Sequence, residues 1–378
     1  VNAAHGGWSG HEPSLIDWSV VERVAAFTAS RTSVPPTYQA TAMQADFDEL
    51  TARAEELVFE ATGLRAPTSR ARGRVIDRPG WTRANVASFQ RLLGPAMAKL
   101  AERRSATILA NLPPWLSRGA SSVGRSVAGA ELGAVLGWMS TRVLGQYDLL
   151  LTEDASDDQD IVYYVGPNVS RLESRYGFPA REFRLWIALH EVTHRAQFTG
   201  VPWLRGYFVS LVERSIEPFV ADPRRLLEAI RRAGEQIRSG RNPLAEAGML
   251  GLVASPDQLA ALQRVQALMS LLEGHGEVTM NQAGAGAVPD AARFSAVLRE
   301  RRESARGAAR LLQQILGIEA KFRQYAEGER FVRAVAECGG RELFDRVWQG
   351  PEWLPTLAEI RDPDAWMARV GAPPAITS

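Results

Sequence analysis

Apolar residues recur at helical spacing along most of the chain, and prolines or glycines interrupt the pattern. A short amphipathic helix is predicted over 16–29, cut by the proline pair within 32–37. A long one over 38–62 stops at Gly63, where a glycine commonly ends a helix. The stretch 66–80 is rich in arginine, proline and glycine and predicts loop, followed by helix over 82–104 and a break at Pro113-Pro114. Over 123–150, Gly129, Gly133 and Gly137 recur every four residues, and Gly145 extends the series. That spacing predicts a buried central helix whose glycine face lets another backbone approach closely. The approach must offset the roughly 1 kcal/mol that each mid-helix glycine costs relative to alanine.

Residues 153–160 are acidic and predict an exposed loop, and Ile161–Val165 carries the clearest strand signal, closed by Gly166-Pro167-Asn168. From Pro179 the helical spacing resumes, with breaks near 200–202, 222–223, 242–243, 255–256, 284–289 and 339–340. The arginine-rich run 223–241 reads as a solvated helix face. The pattern therefore predicts a mostly α protein of the α+β kind, helices with a small β-sheet. An N-terminal arm and short helix over 1–35, a helical part over 36–150 and a catalytic part over 151–375 are expected, and 36–375 can form one compact unit.

Composition narrows the chemistry. The 44 basic and 43 acidic side chains nearly cancel, so no bulk field draws the chain to nucleic acid or to an anionic membrane. All the basic residues except Lys99 and Lys321 are arginines, a skew that a GC-rich genome explains. The single cysteine, Cys338, excludes an intrachain disulfide framework and a multi-cysteine metal site. The first residues lack the basic start and apolar run of a secretory signal. The most membrane-like stretch, 126–141, is interrupted by Glu131 and falls short of the ~18–20 residues of a span. A cytoplasmic location is expected, with neither nucleic acid nor membrane as partner.

One motif carries chemistry. His190-Glu191-Val192-Thr193-His194 is an H-E-x-x-H pattern inside a helix predicted over 181–198. The two histidines lie one turn apart on one face, about 5–6 Å apart at Cβ, so both imidazoles can ligate a single zinc ion. Glu191 is then the candidate catalytic base that takes a proton from water. The chain has only five histidines, and these two continue the apolar stripe Phe183, Ile187, His190, His194, Phe198. Imidazoles facing a core need partners, and a metal supplies one.

The third ligand lies elsewhere. Glu191 to His194 is the chain's only E-x-x-H, which excludes a di-iron carboxylate bundle. The metzincin extension would need Gly at 197 and His at 200, where this chain has Gln197 and Gly200. A carboxylate on a later helix, in the manner of gluzincins, is the expected solution. Leu271-Leu272-Glu273-Gly274-His275-Gly276-Glu277 interrupts an otherwise apolar helix, and charged groups on such a face are rarely left unpaired. Glu273 is the first candidate, with Glu277 and His275 as alternatives. Gly274 and Gly276 would let this helix approach that of His190. Glu277, if not a ligand, would accept the ring N–H of a ligand histidine.

With these residues in place the chain resembles the zincin-like hydrolases, a family of zinc-dependent metalloproteases also associated by name with deazaflavin coenzyme biosynthesis. The matching segments run from about Ile16 to Arg369. They include Val75-Ile76-Asp77-Arg78, Val143-Leu144-Gly145-Gln146-Tyr147-Asp148, Gly166-Pro167-Asn168, the segment Trp186 to His194, Leu272-Glu273-Gly274-His275, Gln324-Tyr325 and Asp362-Pro363 with Trp366. The resemblance implies a zincin-type fold, His190, His194 and Glu273 as zinc ligands, and Glu191 as catalytic base. Nothing in the sequence looks like a site for the deazaflavin coenzyme. In zincins an extended substrate pairs with an edge strand beside the active-site helix, a role for which Ile161–Val165 is the candidate. Tyr325, Tyr207 and His275 are candidates to stabilise a developing oxyanion.

The sequence thus predicts a zinc-dependent metallopeptidase in which Glu191 acts as general base, with a peptide or small amide as substrate. The alternative is a non-catalytic, metal-binding helical scaffold, and the same site would also serve a non-peptide amidase or esterase.

Overall fold

A computed structural model describes residues 16–30, 39–66, 70–107, 114–147, 160–216, 255–303 and 318–371. Chain contacts divide into two compact units, 1–32 with 78–141 and 216–220, and 33–77 with 142–215 and 221–378. Both are assembled from separated stretches of chain. The linear division drawn from the sequence, at 36 and 151, runs across them.

The first unit holds α1 (Trp18–Ser30), α3 (Arg78–Thr107) and α4 (Pro114–Ser140). The glycine series works as expected for three of its members. A Cβ on Gly129, Gly133 or Gly137 would come within 2.6 Å of Asp17 O, 2.6 Å of Val21 O and 2.5 Å of Thr28 Cβ, so α4 carries the backbone of α1 against its glycine face. Val21, Ala25, Val86 and Leu136 close the core beneath it. Two expectations fail here. The helix ends at Ser140 rather than running to 150, and its far side is open, with Val123 and Val127 exposed.

The second unit is organised around a three-stranded sheet of order β1-β3-β2, with β1 at Arg72–Ile76, β2 at Gly145–Tyr147 and β3 at Ile161–Val165. β1 runs parallel to β3 from Arg72↔Ile161 to Ile76↔Val165, whereas β2 is antiparallel to it from Gly145↔Tyr164 to Tyr147↔Val162. β3 is buried along its whole length, as a continuous apolar run in the middle of a sheet should be. β3 is therefore the central strand and not the edge strand expected of it; the edges are β1 and β2. β1 lies inside the predicted loop 66–80: its Arg-Gly-Arg opening hides the strand, and pairing with β3 imposes it.

Helices cover this sheet. α2 (Ala40–Thr62) ends as expected at Gly63, whose φ of 67° suits glycine, and Phe47 of α2 stacks 3.7 Å from Tyr164 of β3. Gly166-Pro167-Asn168, expected to close the strand as a turn, begins α5 (Gly166–Tyr176) directly, because proline is well tolerated in a first helical turn. α6 (Ala180–Gly200) carries the H-E-x-x-H residues, and α7 (Leu204–Ile216) follows. α8 (Pro256–Gly284) opens with a capping box between Ser255 and Gln258 and carries Glu273. Then come α9 (Ala291–Glu303) and α10 (Ile318–Phe344), the latter broken at Gly340 as expected. Two short helices, α11 (Leu357–Arg361) and α12 (Pro363–Gly371), complete the unit.

The breaks at 222–223 and 242–243, the arginine-rich run 223–241 and the acidic loop up to 159 lie outside the described residues. Among the described residues no helix is long and apolar enough to cross a membrane.

Candidate metal centre

The sheet and helices bring three predicted ligands together. His190 Nε2 lies 3.2 Å from His194 Nε2, and Glu273 Oε2 lies 3.8 Å from the first and 3.5 Å from the second. A tetrahedral metal bound at about 2.0–2.1 Å separates its donors by about 3.3–3.4 Å, so the triangle has the size of one face of such a site. Among the described residues this is the His/Glu cluster able to hold a metal ion. Its donors, two imidazoles and a carboxylate, match the preference of zinc.

Hydrogen bonding fixes the orientation of His194. Gln197, one turn further along α6, donates from Nε2 to Leu272 O at 2.9 Å and to His275 Nδ1 at 2.8 Å. Both amide hydrogens are thereby used, and Gln197 Oε1 accepts from His194 Nδ1 at 3.0 Å. His194 therefore holds its proton on Nδ1 and presents the Nε2 lone pair to the cluster. For His194 the acceptor is thus Gln197, a residue with no sequence signal beyond its i+3 position on the same helix face. Glu277 lines the cleft beside the centre.

His275 is not a ligand. Its ring is buried, stacks on Phe344 at 5.3 Å and lies edge-on to Trp348. Burial, with His194 and Arg341 nearby, drives its pKa down to about 3, so it stays neutral and accepts from Gln197. Tyr207 packs with Trp203 against Leu204 and Leu268. Neither residue lines the cleft, which removes both as oxyanion stabilisers in this arrangement. The side chain of Tyr325 lies outside the described residues.

The electrostatics of the cluster call for a cation. Burial pulls the His194 pKa down, but Glu273, Glu191 and Gln197 outweigh it and lift the pKa to about 9. Burial pushes Glu191 up to about 7, with Glu273 adding to the rise while His194 and the Tyr147 N–H oppose it. Two carboxylates around one imidazole thus favour positive charge, which a proton or a divalent ion can supply.

Strand β2 sets the position of Glu191. A Cβ on Gly145 would meet Glu191 Cγ at 2.6 Å, so only glycine allows the two elements this approach. Asn168 Nδ2 donates to Val143 O at 2.7 Å and Val165 N–H to Leu144 O at 2.8 Å, pinning the chain that leads into β2. Tyr147 hydrogen-bonds through its hydroxyl to Asp160, and burial together with that carboxylate raises the phenol pKa. Asp160 in turn grips Arg195 of α6, a residue 1% exposed that also reaches Glu55 of α2 at 2.7 Å. This buried pairing ties the H-E-x-x-H helix to the sheet and to α2.

The glycines of α8 divide their work. Gly276 faces the histidines, with His194 Cε1 3.5 Å and His190 Cε1 3.9 Å from where a Cβ would be. Gly274 faces the other way, against Gly328 of α10, and the expectation that both glycines admit the His190 helix holds for Gly276 alone. The result is a cleft of about 610 Å³ bounded by 143–145, α6, α8, α9 and α10.

The family described as zincin-like metallopeptidase matches residues 16–367. A solved chain from Chloroflexus aurantiacus, described as a proposed hydrolase with a novel fold, is 28% identical with a TM-score of 0.67. The similarity covers 95% of this chain and 99% of that one. Among curated proteins no match is found. The extent of the family match, together with the mostly helical fold and small sheet, places the chain: it belongs to the zincin-like metallopeptidases.

Proposed function

We propose that this protein is a zinc-dependent hydrolase acting on peptide bonds, with His190, His194 and Glu273 as the metal ligands and Glu191 as general base. The observation that carries this reading is the triangle of His190 Nε2, His194 Nε2 and Glu273 Oε2, with edges of 3.2, 3.8 and 3.5 Å, in a cleft that Glu191 also lines. When bound, zinc would supply Lewis acidity toward water and a substrate carbonyl.

The remaining chemistry belongs to the chain. Glu191 accepts a proton from the attacking water and returns it to the leaving amine. Its raised pKa, about 7, suits a group that must both take and give a proton near neutrality. The Tyr147 N–H and the absent side chain of Gly145 hold the carboxylate in one place while it does so. Gln197 keeps the His194 lone pair directed at the cluster. An extended substrate can run beside 143–145, next to Glu191.

The test is a pair of variants assayed on a peptide library with parallel metal analysis. Glu191→Gln should retain one zinc per chain and lose turnover by on the order of a thousandfold or more, as expected for loss of a general base. His190→Ala should lose both. Undiminished turnover in Glu191→Gln would refute the mechanism.

A further inference from the structure

Tyr147, the last residue of β2, engages the H-E-x-x-H helix at three points. Its N–H donates to the Glu191 carboxylate. Its hydroxyl donates to Asp160, which holds Arg195, one turn beyond Glu191 on α6, at 2.9 and 2.5 Å. Its ring stacks on Phe198, a further turn along, with centroids 6.5 Å apart. Residues 191, 195 and 198 stand at i, i+4 and i+7, so a single residue of β2 follows one side of α6 through two turns.

The strand needs such an anchor. β2 has three residues and pairs with β3 along one side only. Asn168 and Val165 pin its leading end through Val143 O and Leu144 O, and its far end is Tyr147 itself. Asp160 stands at the entry to β3, two residues before Val162, which pairs with Tyr147. The bond from the hydroxyl to Asp160 therefore closes the far end of the β2–β3 pair. Charge does not call for it, since Arg195 is already neutralised by Asp160 and by Glu55 at 2.7 Å. What the hydroxyl adds is direction, because a short hydrogen bond to a buried carboxylate fixes the ring, and the ring fixes the backbone that carries the N–H. Gly145 limits the same carboxylate from the other end of β2, so any slide of this strand moves both boundaries of Glu191.

We propose that the Tyr147 hydroxyl is a positioning group for the general base: by bonding Asp160 it locks β2 to α6 and so keeps the Tyr147 N–H on Glu191. The side chain is buried and does not line the cleft, so it acts through that carboxylate rather than on substrate. The inference rests on the role given to Glu191 above.

Tyr147→Phe removes the hydroxyl and keeps the ring, its stack on Phe198 and the N–H. Zinc content and KM should stay at wild-type values while kcat falls about tenfold, the weight of one buried hydrogen bond. In the Glu191→Gln background the same substitution should change kcat by less than about twofold, because the base it positions is no longer there. A second measurement needs no turnover. Amide exchange at residue 147 should quicken about tenfold in Tyr147→Phe, while exchange in the middle of α6 stays unchanged. Undiminished kcat, equal slowing in the two backgrounds, or unaltered exchange at residue 147 would overturn the inference. Turnover persisting in Glu191→Gln would instead remove the hydrolytic reading, and the exchange at residue 147 would still decide whether the hydroxyl holds the strand.

Discussion

Gly145 and Glu191 touch: a Cβ at position 145 would lie 2.6 Å from Glu191 Cγ and 2.9 Å from its Oε1. The contact joins the edge strand to the residue that follows the first histidine of the motif. Gly145→Ala must push either β2 or the carboxylate aside, while the histidines stay on an undisturbed helix. Zinc content should therefore remain at the wild-type level while kcat falls, on the order of a hundredfold for a displacement near 1 Å. Parallel metal analysis and steady-state kinetics check this. An alanine variant with full kcat would show that the close approach has no part in catalysis.

Gln197 orients His194 by accepting its Nδ1 proton at 3.0 Å and is itself anchored to Leu272 O and His275. Gln197→Leu keeps most of the volume and removes every one of these bonds. Metal affinity should fall about 10–100-fold, the usual cost of losing a group that orients a ligand histidine. Competition with a chelating dye measures it. Gln197→Glu retains the acceptor and should recover part of the affinity, which a purely steric role for the residue would not produce.

The contrast between Gln197 and the histidines shows what the sequence could reveal. Two histidines one turn apart on an apolar stripe announce themselves, because buried imidazoles need a partner. Glu273 was legible for the same reason, as a charge interrupting an apolar helix. A single glutamine on a helix announces nothing, since its role exists only once α8 is packed beside it. β2 was hidden differently. Three residues cannot hold strand geometry alone, and Gly145 completed a four-residue glycine series that already had a physical explanation in α4. One residue type thus served two close approaches, and local spacing could not tell them apart. β3 was legible as a strand but not as the central one, because strand order depends on partners far away in the chain.

Arg195 and Asp160 form a buried ion pair, 1% and 9% exposed at their side chains. Asp160 also has a φ of 66°, a conformation that asparagine tolerates better than most residues. Asp160→Asn therefore removes the charge without adding backbone strain. Breaking one side of a buried pair usually costs about 3–5 kcal/mol, because the remaining charge stays desolvated. Glu55 still faces the guanidinium at 2.7 Å, so the loss should fall at the lower end of that range. A shift in thermal or urea unfolding measures it. A variant as stable as the wild type would mean that Glu55 alone satisfies Arg195.

Gly328 and Gly206 should respond in opposite directions to the same substitution. Both are helical, and an alanine in a helix interior is favoured over glycine by up to about 1 kcal/mol. At Gly206, in the first turn of α7, an added Cβ meets nothing within 4 Å among the described residues, so Gly206→Ala should stabilise by a few tenths of a kcal/mol. At Gly328 the Cβ would lie 1.8 Å from Ser270 O and 2.7 Å from its carbonyl carbon. Backbone cannot yield as a flexible side chain does, so α8 and α10 must separate. Overpacking of this kind costs typically 1–3 kcal/mol and exceeds the gain in propensity. Gly328→Ala should therefore lower the melting temperature while Gly206→Ala raises it slightly. Because α8 also carries Glu273, the Gly328 variant should lose zinc affinity as well, and the Gly206 variant should not. Equal melting shifts in the two variants would show that the helix crossing is looser than the Gly274–Gly328 contact implies.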